Sequence, residues 1–258
     1  METYRKDTLI IKKFPSRKLM GETAAADAAA AVRELLKSKS QIRMIFAAAP
    51  SQNEFLEAFG SDRTVDFGKI TAFHMDEYAG LPADAPQGFG NFLRERLFQK
   101  CPFKEVHYIN GLAKNINDEC ERYSKLLNHA PVDIVCMGIG ENAHIAFNDP
   151  PADFDRDEPF KIVKLDEACR KQQLGEGWFR TLEDVPETAI TMTPKQIMKC
   201  EKIISVVPYK VKAKAVHDTL TSESVTNIIP ATILKTHPDW TLYLDNDSAS
   251  MIEVNKYN

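Results

Sequence analysis

Hydrophobic positions in this chain fall into short, largely apolar runs, separated by stretches in which apolar residues recur with helical spacing. The runs are Ile42–Phe46, Ile70–Met75, Val132–Met137, Lys202–Val207 and Trp240–Leu244, with weaker ones at Val106–Ile109 and Phe160–Leu165. Consecutive apolar, often β-branched residues predict strands covered on both faces, as in a parallel sheet. Between them, helices are predicted over 19–37 around the alanine-rich Thr23–Leu36, over Phe55–Phe59 and Phe92–Phe98, and over 116–129. A polar helix start at 166–173 and a basic helix from Lys210 to Leu220 complete the series. Alternating strands and helices predict an α/β fold: a doubly wound, mostly parallel sheet flanked by helices, Rossmann-like in outline. No low-complexity linker or internal repeat divides residues 1–258, so a single domain is expected. Residues 150–185 carry the weakest pattern and are expected to form a lid or excursion.

Composition narrows the function classes. A hydrophobic content of 43% with 27% charged residues is ordinary for a globular chain. A net charge of −4 gives no electrostatic case for nucleic acid or an anionic membrane as partner. No apolar run approaches the roughly 18 residues of a spanning helix. Met1–Asp7 is charged and lacks the apolar core of a signal peptide. The five cysteines are odd in number, widely spaced and never paired as C-x-x-C, which points to reduced thiols in a cytoplasm and to no metal site.

Candidate chemistry centres on Val132–Pro151. There a buried strand leads into Gly138 and Gly140, then Asn142, His144 and Asp149, closed by Pro150 and Pro151. In an open α/β sheet, ligands bind outside the carboxyl ends of the strands. The glycines allow close approach to a ligand, and a histidine with hydrogen-bond partners nearby suits proton transfer. Gly138–Ala143 formally fits the dinucleotide pattern G-x-G-x-x-A, but Asn148–Pro151 leaves no room for the helix that pattern requires. Asp76 also stands at the carboxyl end of a predicted strand, so a carboxylate and an imidazole can converge at one sheet edge. The alternatives are a helix cap or loop salt bridge for Asp76 and a packed or surface role for His144.

Met75–Tyr78 together with His144–Pro150 resembles the glucosamine-6-phosphate deaminase (isomerase) family, which shares its fold with the 6-phosphogluconolactonases. The similarity runs from about residue 20 to 245, and Asp184–Pro186 and Ala189–Met192 also follow the family pattern. The H-I-A-F-N continuation is that of the deaminases. The resemblance implies aldose–ketose isomerisation of a sugar phosphate with loss of ammonia, giving fructose 6-phosphate, with no metal or organic cofactor. It implies Asp76 as the base moving a proton between C2 and C1, and His144 as the ring-opening group, oriented by Asn142 and Asp149. It further implies substrate contacts at Ser51 and Gln52, at Gly138 and Gly140, and at Lys210 and Arg170. Assembly into a homo-oligomer stays open, since the family includes monomers and hexamers.

The chain departs from the family pattern in four places. Asn142 stands where the family has aspartate, and Asp149 where it has glutamate, which shortens that side chain by about 1 Å. Glu141 adds a carboxylate, expected to point elsewhere. Ala49–Gln52 replaces a glycine-rich phosphate loop, and Ser51-x-x-Glu54 reads equally as a capping box. No arginine precedes Trp178–Phe179, Arg170 being the nearest upstream. Lys210 matches the family's phosphate lysine, and a solvated lysine beside Lys212 and Lys214 is its alternative. The rival functions are a sugar-phosphate lactonase and a non-catalytic sugar-phosphate sensor.

Overall fold

A computed structural model describes residues 1–165, 167–175 and 177–253. In chain order the elements begin with β1 (Glu2–Lys6), β2 (Leu9–Phe14), α1 (Arg17–Leu35), β3 (Ile42–Phe46) and α2 (Asn53–Ser61). β4 (Ile70–His74), β5 (Asp76–Tyr78), α3 (Phe89–Leu93), β6 (Glu105–Val106), α4 (Ile116–Leu127) and β7 (Ile134–Met137) follow. The remainder is β8 (Phe160–Lys164), α5 (Glu167–Gly175), β9 (Thr188–Met192), α6 (Pro194–Ile197), β10 (Lys202–Val207), α7 (Ala213–Thr221) and β11 (Trp240–Asp245). The main sheet has the order β1-β2-β11-β10-β7-β3-β4-β6 and is parallel except for the β1–β2 hairpin.

This is the expected doubly wound arrangement. From β3 the chain builds outward through β4 to β6, then returns to β7 and builds the other way through β10 and β11. β3 and β7 therefore flank the switch point, and the loops leaving their carboxyl ends open into one crevice. Side-chain alternation covers both faces. Met44, Phe46, Ile134, Cys136, Ile204 and Val206 pack with α1 and α2, while Ile45, Phe73, Val135, Ile203 and Val207 pack with α4 and α7. No described helix is long and apolar enough to cross a membrane.

Three differences from expectation have physical causes. β1 and β2 form an edge hairpin whose outer residues are exposed, and Glu2–Lys6 carries too much charge to register as an apolar run. The predicted Val106–Ile109 strand is only the short edge strand β6. Residues 150–185 supply β8 and α5, and β8 joins β9 and β5 in a second, antiparallel sheet of three strands. Positions 166 and 176 of that predicted excursion lie outside the described residues.

Candidate active site

Ala47–Ser51 after β3, Asp76 on β5, Gly138–Asn142 and His144 after β7, and residues of α5 line one cavity of about 840 Å³. Tyr209 and Lys212, which follow β10, close its far side. The switch point thus gathers carboxylate, imidazole, hydroxyl and ammonium groups from segments far apart in sequence.

After β7 the backbone does not enter a helix, which removes the dinucleotide pattern. It turns tightly instead: Gly140 N–H donates to His144 O at 2.9 Å, and Ala143 N–H donates to Gly140 O at 3.1 Å. The turn places Ala143 at φ +66° and Ala146 at φ +51°, in the left-handed region that costs a residue with a Cβ about 1–2 kcal/mol. The strain is held because it seats His144. The ring lies directly over Gly140, where a Cβ would collide with it. His144 Nδ1 is 2.7 Å from Asn142 Oδ1 and 3.1 Å from Asp149 Oδ1, so Nδ1 carries the proton and donates to these acceptors. Asn142 Nδ2 in turn donates to Asp149 Oδ1 at 2.9 Å. With Nδ1 committed, Nε2 is the ring nitrogen left for a ligand.

Of the two substitutions in this relay, Asn142 removes a charge and Asp149 shortens a side chain, and both leave it connected. Asp149, although shorter, still reaches the imidazole. Burial opposes its charge, but the His144 ring and the Asn142 amide outweigh burial and hold the carboxyl below the usual carboxylate range. Glu141 is exposed at the rim of the cavity and makes none of the relay's contacts.

Asp76 differs in kind. Its side chain is buried and lines the cavity, and among the described residues no group bonds its carboxylate. Burial, and then the charge of neighbouring Glu77, push its pKa well above the ordinary value. Its backbone is pinned by His74, whose Nδ1 donates to Asp76 O at 2.8 Å while its Nε2 accepts from Ile109 N–H at 3.0 Å. Burial lowers the His74 pKa to about 4, so this histidine is a neutral brace. Glu77 is structural as well: its carboxylate accepts from the N–H groups of Tyr78, Phe89 and Gly90.

At the other end of the cavity, Ser51 sits in a 3₁₀ turn (Pro50–Gln52), and α2 begins without a side-chain cap. The capping box does not form. Glu54 instead pairs with Arg17, Nε to Oε1 at 2.6 Å, which leaves the Ser51 hydroxyl on the cavity wall. Gln52 does not line the cavity. It is buried behind Ser51, and its amide donates to Ser51 Oγ at 3.1 Å and to Val206 O at 3.0 Å. Gly138 makes room for that amide, which a Cβ would meet at 3.3 Å.

Besides Gln52, two further expected contacts are displaced. Tyr209 adopts φ +80°, and the following 3₁₀ turn carries Lys210 out to solvent and brings Lys212 to the cavity wall. Arg170 also points away, its guanidinium donating to Val185 O at 3.2 Å and Leu182 O at 2.6 Å. Sequence reasoning missed Lys212, Tyr209, Cys169 and Gln173 as lining residues. The first two depend on one unusual backbone angle and the others on how α5 seats, so no local pattern marks them.

Comparison with known proteins places this arrangement. Residues 15–243 match the family described as glucosamine-6-phosphate isomerases/6-phosphogluconolactonase. The chain belongs to that family. A glucosamine-6-phosphate deaminase of Bacillus cereus (strain B4264) is 34% identical over 220 residues, covering 85% of this chain and 82% of that protein. A solved structure described as a monomeric glucosamine-6-phosphate deaminase superposes with a TM-score of 0.86 at 27% identity, over 94% of this chain and 99% of that one. A 6-phosphogluconolactonase from Thermotoga maritima shares the fold at a TM-score of 0.76 and 16% identity, over 92% of this chain and 99% of that one. The family's two activities are thus both represented among its relatives, and the sequence identity lies with the deaminases.

Proposed function

We propose that this family member is an amino-sugar-phosphate deaminase/isomerase. Its substrate is glucosamine 6-phosphate or a related hexosamine phosphate, converted to fructose 6-phosphate and ammonia. One observation carries the proposal: a buried Asp76 carboxylate, without a hydrogen-bond partner among the described residues, shares a cavity with a His144 imidazole whose Nδ1 is held by Asn142 and Asp149.

His144 Nε2 exchanges a proton with the ring oxygen, and opening of the pyranose exposes the C1 aldehyde. Asp76 removes the C2 proton, the electron pair moves to the C1 oxygen, and that oxygen takes a proton from solvent to give an enolamine. The same carboxyl returns the proton to C1, which leaves an imine at C2. Water adds to the imine, and ammonia departs with formation of the C2 ketone. An acid whose pKa is raised by burial suits both halves of this transfer, since it takes a proton near neutral pH and gives it back. The Ser51 hydroxyl and the Lys212 ammonium are the groups for the phosphate, Lys212 filling the role expected of Lys210. A Lys210 or Arg170 contact is not part of the mechanism.

Residues 150–185 cover the site as a lid, within a single domain. Five buried cysteines, with no disulfide among the described residues, support a cytoplasmic setting. The deciding experiment incubates the protein with glucosamine 6-phosphate and its epimers and measures ammonia and fructose 6-phosphate. An Asp76→Asn variant serves as blank, with 6-phosphogluconolactone in a parallel arm. Turnover of an amino sugar phosphate above the blank is expected. Hydrolysis of the lactone alone, or ligand binding without any product, overturns the proposal.

A further inference from the structure

α5 touches both halves of the site through one face. Cys169 and Gln173 stand at i and i+4, one turn apart on the same side of the helix. At one end, Cys169 sits beside the Asp149 carboxylate, its thiol being among the groups that hold that carboxyl low, and Asp149 in turn holds His144 Nδ1. At the other, Gln173 Oε1 accepts from the Tyr78 hydroxyl at 2.7 Å, and Tyr78 ends the three-residue strand that begins with Asp76. Both side chains are buried, and both line the cavity. Apolar packing supports the seat: Cys169 belongs to a cluster with Tyr78, Phe147, Leu165, Phe179, Val185 and Ala189. Phe147 lies within the His144–Asp149 segment, so this cluster joins the two catalytic strands' ends beneath the helix.

We propose that the Cys169–Gln173 face of α5 is an alignment clamp that sets the His144 relay and the Asp76 strand in register, making both positioning residues. The inference rests on the proposed activity for its kinetic test but not for its second test. Asp149 is the shorter acid, with Oδ1 shared between Asn142 and His144. A thiol donor on the same carboxylate limits its rotation and so fixes the bond to the imidazole. Gln173 contributes differently. Because the Tyr78 hydroxyl binds its oxygen, the amide is locked with Nε2, which has no partner among the described residues, available to donate to a hydroxyl of the bound sugar. A helix seated by these two contacts presents the reacting groups together. A helix released from either lets them drift apart, and misplacement on the order of 1 Å costs up to about 10²-fold in rate.

The kinetic test compares Cys169→Ala, Cys169→Ser and Gln173→Leu with the native chain. Cys169→Ala is expected to lower kcat about tenfold with KM within about twofold, the signature of an interaction acting on the reacting geometry. Cys169→Ser restores a donor and is expected to return kcat to within about threefold. The Cys169→Ala/Gln173→Leu pair is expected to lose less than the product of the single losses, since one helix carries both. A serine variant as impaired as the alanine variant, or an alanine variant with native kcat, overturns the clamp.

The second test needs no turnover. Among the described residues, Cys169 is the one thiol on the cavity wall. Iodoacetamide labelling, read by peptide mass spectrometry, is expected to reach Cys169 at least about fivefold faster in Gln173→Leu and Tyr78→Phe. Labelling of the remote Cys101 is expected to stay unchanged, and fructose 6-phosphate is expected to protect Cys169 in the native chain. Cys169 labelling insensitive to Gln173→Leu overturns the clamp. Labelling coupled in this way without any deaminase turnover leaves the clamp standing and removes the proposed substrate.

Discussion

Gly140→Ala tests the seat of the His144 imidazole with a single methyl group. A Cβ built on Gly140 falls 2.2 Å from both Cε1 and Nε2 of His144, where ordinary contact begins at 3.4 Å. The ring must retreat by roughly 1.2 Å, or the turn must open by that amount. Retreat is obstructed, because Nδ1 is held at 2.7 Å by Asn142 and at 3.1 Å by Asp149. A displacement of that size is worth about 10²-fold in rate. Overpacking costs about 1–3 kcal/mol of stability. With an unfolding entropy of about 2.1 cal/mol/K per residue, the 258-residue chain changes by about 0.5 kcal/mol per kelvin, which makes the loss in Tm about 2–6 °C. The assay is kcat/KM for ammonia release from glucosamine 6-phosphate, with differential scanning calorimetry on the same preparations. His144→Ala provides the internal control: once the ring is gone, adding Gly140→Ala is expected to change the residual rate little. Gly140→Ala with kcat/KM within about threefold of native, and an unshifted Tm, refutes the placement of the ring.

Three further outcomes follow from the same geometry. Asp76→Asn is expected to lower kcat by about 10²- to 10⁴-fold while raising Tm at pH 7. A carboxyl whose folded pKa lies above its unfolded value of 3.8 costs stability as pH rises from there, so the Tm gain must shrink as pH falls toward 4. Lys212→Met is expected to raise KM about 10- to 100-fold and Lys210→Met to leave it within about twofold; equal effects in steady-state kinetics would sink the assignment of Lys212 to the phosphate. His74 is held at about 4 against an ordinary 6.5, so the unfolded chain binds the extra proton first. Native stability should therefore fall by about 3 kcal/mol between pH 6.5 and 4, a component that urea titration must find missing in His74→Phe.

Parallel strands covered on both faces were legible because burial on both sides demands consecutive apolar residues. Ile42–Phe46 and Lys202–Val207 match the predicted runs residue for residue, and the alternation of strand and helix followed from them. The Gly140–Asn142–His144–Asp149 turn was also legible, since its partners lie within a few residues of one another. What needed distant partners was not. Ser51-x-x-Glu54 reads as a cap until Arg17 takes the carboxylate from another helix. Lys210 reads as the cavity lysine until Tyr209 turns through a positive φ and exchanges it for Lys212. Arg170 reads as a ligand until the carbonyls of Leu182 and Val185 claim it. Local spacing specifies backbone and burial, because those energies are summed over neighbours along the chain. Which side chain faces the cavity is decided by competition among charged and polar partners that only the folded chain brings within a few ångströms.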